Sequence, residues 1–161
     1  AAPNGKGVGD FFRTAIRRDP RALLDLLEVR QAIEVQVAVL AARNASRASV
    51  VAMQAAIDDM RRTVDEPAEF SEADIQFHEL LAAASGNQML TILIEELSDS
   101  QRSSRVQSVL GHERLGRRLD EVCDQHAAIL DCVERRDEAG AGAAMRAHLR
   151  STERDLTAAL R

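Results

Sequence analysis

Apolar side chains recur at steps of three and four residues through most of the chain, the spacing that puts them on one face of an α-helix. Between Arg21 and about Asn44 the stripe is Leu23, Leu26, Leu27, Ile33, Val37, Leu40 and Ala41. Asp19-Pro20 supplies a capping side chain and a proline suited to the first helical turn, and Asn44 is a natural stop. A second long helix is predicted over about Ser46 to Val64, with Val50, Met53, Ile57 and Met60 inward and Pro67 marking the next break. The helix after Pro67 runs through Phe70, Phe77, Leu80 and Leu81 to Ser85-Gly86-Asn87, where glycine suits the left-handed turn that ends a helix.

A further helix is predicted over about Gln88 to Leu110, burying Leu90, Leu93, Ile94 and Leu97 and then turning polar around Gln101, Arg102, Ser103, Ser104 and Arg105. Gly111 and Gly116 mark a loop, in which His112 reads as a solvated surface residue. Another helix spans about Leu119 to Arg135, and Asp137 can cap a last one reaching close to Arg161. At the other end, residues 1–10 read as a glycine-rich linker remnant, followed by a short helix over about Phe11 to Arg18. No segment alternates with a period of two, so the expected fold is all-α, an antiparallel helical bundle of six to seven helices over residues 11–161.

Composition narrows this further. A chain of 161 residues fits one domain, and with no Trp, no Tyr and four Phe its core must be aliphatic. A net charge of -5 argues against a grip on nucleic-acid backbone by this piece alone, which needs a concentrated excess of Lys and Arg. No segment has the uninterrupted apolar length of a membrane span, and the start has no signal-peptide core, so no membrane role and a cytoplasmic location are expected. Cys123 and Cys132 fall on opposite faces of one predicted helix, which makes a disulfide between them geometrically implausible.

The candidate chemistry lies in four residues. Asp74 and His78 are one turn apart on one helix face, and His126 and His148 sit on the apolar stripes of two later helices. Several imidazoles and a carboxylate buried without a common partner would be costly, whereas one cation satisfies all of them. Three imidazoles and a carboxylate suit a divalent ion, with Zn2+ the leading candidate and Ni2+, Mn2+ or Fe2+ also accommodated, but suit Ca2+ or Cu+ poorly. Catalytic templates fail at named positions: Ala82 stands where a zinc protease would place its second histidine, and Ile75, Cys123 and Met145 stand where a di-iron bundle would place glutamates. Arg30, Arg102 and Arg105 are candidates to hold a carboxylate effector through the planar guanidinium fork, with Asn87 a weaker one.

Four stretches together resemble the ligand-binding C-terminal (FCD) domain of GntR-superfamily transcription regulators, FadR-like branch. They are Leu27-Glu28-Val29-Arg30 with Ile33-Glu34 and Ala41-Ala42; Asp74-Ile75-Gln76-Phe77-His78 with Ser85-Gly86-Asn87; His126-Ala127-Ala128-Ile129-Leu130; and Met145-Arg146-Ala147-His148-Leu149. The resemblance implies an all-helical bundle, a homodimer, and a metal held by Asp74, His78, His126 and His148 with a small organic acid at or beside it. The short helix near Phe11 is similar to that of the seven-helix subgroup. It also implies DNA binding only through an N-terminal winged helix-turn-helix domain absent from these residues. The expected function is therefore effector sensing for a bacterial transcription regulator, not catalysis. The alternatives are a metal-dependent hydrolase or lyase, and a metal-free dimerisation module.

Overall fold

The computed structural model describes residues 6–161, the side chains of Lys6, Asp99 and Ser103 excepted. Among the described residues there are seven helices and no strand: α1 (Lys6–Arg18), α2 (Ala22–Asn44), α3 (Arg47–Arg62), α4 (Pro67–Ala84), α5 (Gln88–Arg114), α6 (Asp120–Glu134) and α7 (Glu138–Ala159). Their starts reflect local chemistry. Ser46 Oγ accepts from the Ser49 amide, Asn87 Oδ1 from Met89 and Leu90, and Asp137 Oδ1 from Gly140, each satisfying donors that a first helical turn leaves open. Pro67 opens α4, where its missing N–H is no loss, and Gly86 comes after α4 at φ 72°, a left-handed conformation in which L side chains are strained.

Three boundaries differ from the expectation: α2 begins at Ala22 with Arg21 in the cap position and no capping side chain, so Asp19-Pro20 precedes the helix, and at the other two a glycine serves close packing. Residues 6–10 are helical, so the reading of 1–10 as linker is corrected there, while residues 1–5 lie outside the described residues. A Cβ on Gly9 would come within 3.0 Å of the Glu96 carbonyl oxygen, so glycine lets α1 lie directly on α5. Likewise α5 does not stop at Leu110 but runs through Gly111 to Arg114. A Cβ on Gly111 would lie 1.8 Å from the Asp155 carbonyl oxygen, so α5 and α7 touch backbone to backbone. Tertiary contact here overrides glycine's poor intrinsic helix propensity.

α7 packs on α2, α5 and α6, while α4 packs on α2, α3 and α5. The short connections make the packed consecutive pairs α3–α4, α4–α5 and α6–α7 antiparallel. The core is aliphatic with Phe70 and Phe77 as its buried rings, and it divides into a large cluster around Leu27, Val37, Met53, Leu81, Ile129 and Met145 and a smaller one around Met60, Phe70, Val109 and Leu119. Both cysteines are buried and free, as their opposite-face placement implies. No helix among the described residues is long and apolar enough to cross a membrane. Gly111→Ala is expected to lower the unfolding free energy by about 3 kcal/mol, because α5 and α7 must separate to admit one methyl group; urea unfolding with an unchanged midpoint would show that the two helices are not held so closely in solution.

Candidate metal and effector site

The inward faces of α2, α4, α5, α6 and α7 meet around a polar interior. Asp74 and His78 come from α4, His126 from α6 and His148 from α7, and all four are buried. One ligand atom from each lies within 4.8 Å of all the others. The rings pack closely: His126 and His148 centroids are 4.4 Å apart, His78 and His148 5.5 Å, and the Phe77 ring stands edge-on to His126 at 4.8 Å. The four residues singled out from spacing are thus brought together.

Two of the imidazoles are also held from behind by hydrogen bonds. His126 Nδ1 is 2.7 Å from the Val122 carbonyl oxygen, and His148 Nδ1 is 2.8 Å from Gln125 Oε1. Both partners only accept, so Nδ1 carries the proton in each ring and Nε2 presents a lone pair. His78 Nδ1 lies against the Glu34 carboxylate and its Nε2 is 3.3 Å from Asp74 Oδ1, neither with the direction of a hydrogen bond. His148 Nε2 is buried with no partner, and His126 Nε2, a lone pair, faces Asp74 Oδ1 at 2.7 Å. A neutral His126 has one proton for two acceptors, and burial pushes its basicity, like that of His148, below the ordinary histidine range. A cation held by one nitrogen from each ring and an Asp74 oxygen removes the conflict, so the residues present fit a divalent metal. The acceptors behind the rings are the kind that orient metal-binding histidines.

Charge is balanced around this point. Burial alone would raise the Asp74 carboxyl, but the Arg105 guanidinium, donating from Nη1 to Oδ2 at 2.9 Å, leads the interactions that hold it well below the usual carboxylate range. Glu34 is opposed by burial in the same way and held down by Arg30, whose Nε donates to Oε1 at 2.8 Å, and by His78. Arg105 is pushed down to about 10 by burial and by Arg30 nearby. Even so, Arg30 Nη1 and Nη2, Arg105 Nε and Gln101 Nε2 are buried donors without partners.

Not every candidate belongs here. Arg102 is exposed on the outer side of α5, where Nε donates to Glu72 Oε1 at 2.6 Å, and Asn87 is an exposed cap at the far end of that helix, so neither reaches the cluster. His112 is corrected from solvated to fully buried: its Nδ1 is 3.0 Å from Asp155 Oδ2 and its Nε2 2.8 Å from the Arg118 carbonyl oxygen. Sequence reasoning passed over Glu34, Gln101 and Gln125. The usable signal was register: the buried face of α2 steps through Leu23, Leu27, Arg30, Glu34, Val37 and Ala41, so two charged residues occupy core positions. The polar stretch of α5 has the same explanation, since Gln101, Ser104, Arg105 and Ser108 continue the inward face begun by Ile94 and Leu97.

Between the cluster and α7 lies a cavity of about 20 Å³, room for one water molecule. Asp74, Arg105, Ser108, His148, Thr152 and Asp155 are among the polar residues that line it.

The model of the FCD domain matches residues 25–151. The chain belongs to the FCD family. Over 130 residues this FCD domain is 32% identical to the Exu regulon transcriptional regulator of Escherichia coli strain K12, a match covering 80% of this chain and 49% of that protein. It is 28% identical over 119 residues to the Galactonate operon transcriptional repressor of the same strain, covering 74% of this chain and 51% of the relative. Among solved structures it is similar to Streptococcus agalactiae GntR, with a TM-score of 0.71 at 22% identity over 84% of this chain and 60% of that one, a likeness of fold. The resemblance to FadR-like GntR regulators drawn from four short stretches therefore holds over most of the chain. The chain spans about half the length of the curated relatives it matches.

In chelator-treated protein this site makes stability pH-dependent. His126 and His148 have folded values lowered from the ordinary 6.5, so the unfolded chain binds more protons, and their contribution is present above about pH 6.5 and lost as pH falls below it. Asp74 and Glu34, also lowered, extend the loss below about pH 4. The urea midpoint is expected to hold from about pH 8 to 7 and to decline towards pH 5; a flat profile down to pH 5 would contradict neutral buried rings.

Proposed function

We propose that this FCD domain is the effector-sensing part of a transcription regulator: it holds one divalent metal through Asp74, His78, His126 and His148, binds a small organic acid beside it, and passes the binding event to a DNA-binding domain elsewhere in the protein. The observation that carries the reading is the convergence of three buried imidazoles on an ionised carboxylate, two of them, His126 and His148, fixed from behind. Nitrogen and oxygen donors in this number favour Zn2+ first, with Ni2+, Mn2+ and Fe2+ as alternatives. A bound ion supplies positive charge, and any open coordination position, to a carboxylate at the site.

The acid's anchor is Arg105, with Arg30 and Gln101 behind it. Arg105 borders the cavity, and all three side chains carry buried N–H groups without partners, which a carboxylate would accept from. One relative is named for a galactonate operon, and galactonate is itself an organic acid. The named relatives are regulators of transcription, which supports regulation over catalysis. The regulator acts as a homodimer in the cytoplasm, where its DNA is. Sensing requires only that the acid bind one of two domain geometries better than the other.

Protein purified without a nickel column is expected to carry about one divalent ion per chain, and a His126→Ala, His148→Ala double variant almost none; equal metal content in both would remove the metal site. Gln125→Ala, which frees the His148 ring, should weaken metal binding by about 10- to 100-fold without emptying the site. In a thermal-shift screen of small carboxylic acids at saturating concentration, one class should raise the melting temperature, the rise should vanish after chelation, and Arg105→Met should abolish it while Arg102→Ala leaves it intact. A response that survives chelation would leave the acid site independent of the ion.

A further inference from the structure

The four donors of the cluster are buried, so an ion can reach them only through the protein. Among the described residues α3, α4, α5, α7 and α6 form a ring, each packed on the next and α6 back on α3. Packed helix pairs thus seal the sides. α2 closes the approach from its own side, where Glu34 lies against His78. At one end of the ring two connections meet instead: Val64 and Asp65 from between α3 and α4 lie with Arg117, Arg118 and Leu119 from between α5 and α6 around a hollow on the surface. Leu119 also lines the inner cavity that Asp74 and His148 border. This one side chain, 6% exposed and packed with Met60, Phe70 and Val109, therefore borders both the hollow and the cavity. Asp65, Glu113 and Asp120 outnumber Arg117 and Arg118 around the hollow, so it attracts cations.

The α5–α6 connection, residues 115–119, is tied down mainly at one post. Asp155 on α7 is a buried carboxylate that no residue of the cluster touches. Its Oδ1 accepts from Arg117 Nη1 at 3.0 Å, and its Oδ2 is 3.0 Å from His112 Nδ1, while His112 Nε2 meets the Arg118 carbonyl oxygen at 2.8 Å. Arg117 Nη2 adds a bond to Ser151 Oγ at 3.2 Å. Gly116, at φ 67°, supplies the left-handed turn that brings the segment back over the ring. Contacts this few can break locally while the helices keep their packing. We infer that the α5–α6 connection is the door by which a divalent cation enters the buried cluster, with Leu119 as its plug and Arg117 as its latch. The inference rests on the reading of the cluster as a metal site. Opening moves Leu119 outward and joins the hollow to the cavity, which brings Asp74 and His148 within reach of solvent. The door lies on the path and outside the coordination set, so it governs rates and leaves affinity nearly unchanged.

The test follows Zn2+ alone on chelator-treated protein by stopped flow, with a zinc-responsive dye reporting uptake and a strong chelator driving release. Leu119→Ala and Arg117→Gln should each raise both rates about fivefold or more, with the Kd within about threefold of wild type, because entry and exit cross the same barrier. Arg117 is only partly buried, so Arg117→Gln carries the test if Leu119→Ala does not fold. Met53→Ala makes a space in the large core cluster away from the door, and should destabilise the fold yet leave both rates within about twofold. A smaller rise in either folded door variant, or a comparable rise in Met53→Ala, overturns the inference and leaves the metal site standing. Faster release with unchanged uptake would make these residues part of the hold on the ion, and overturns it as well. If the wild-type chain takes up no zinc, the metal-site reading falls and the door with it.

Discussion

His126 has one ring proton and two buried acceptors, and the interior of this bundle is arranged around that shortage. The Val122 carbonyl takes the proton within the same helix, so the other nitrogen must face the ionised Asp74 as a lone pair. A second proton is opposed by burial. The same problem recurs at His78, set between Glu34 and Asp74, and in half-form at His148. Two buried guanidinium groups, Arg30 and Arg105, balance the two carboxylates and so make the ionised state of both tenable. Breaking such a buried pair by removing one partner commonly costs about 3–5 kcal/mol, so the polar centre constrains the fold as strongly as the apolar core around it.

Much of this was legible in the chain. Helix count, most boundaries and the Asp74, His78, His126, His148 set come from period, caps and the four-residue step. What escaped did so for identifiable physical reasons. Gly9 and Gly111 look like breakers because their use depends on a partner helix, a fact no local window contains. His112 was misplaced with Gly111, since a residue assigned to a loop is read as wet. Arg102 was one step out of register: Gln101 and Arg105 share the inward face, and the residue between them does not. Glu34 was hidden by the habit of reading charge as surface, although its spacing put it among core positions.

The outer partners matter as much as the four donors. Val122 lies four residues before His126 on α6 and Gln125 on the same helix reaches α7, so one short helix orients two imidazoles at once. Glu34 brings α2 into contact with α4 through His78, and Arg105 brings α5 to Asp74. Five helices are thereby joined at one point by polar contacts that tolerate little sliding, whereas the aliphatic layers around them can repack more freely.

That convergence bears on how the chain reaches its native state. The participating residues run from Arg30 on α2 to His148 on α7, and no single helical hairpin holds more than part of the set. Individual helices and the α3–α4 and α6–α7 hairpins form from local contacts, but the polar centre closes only when segments remote in sequence have docked. Closure is thus a late, long-range event in folding, its rate set by chain topology. A ligand of the finished centre can act on the folded chain but cannot template the early steps, so it should slow unfolding far more than it speeds folding.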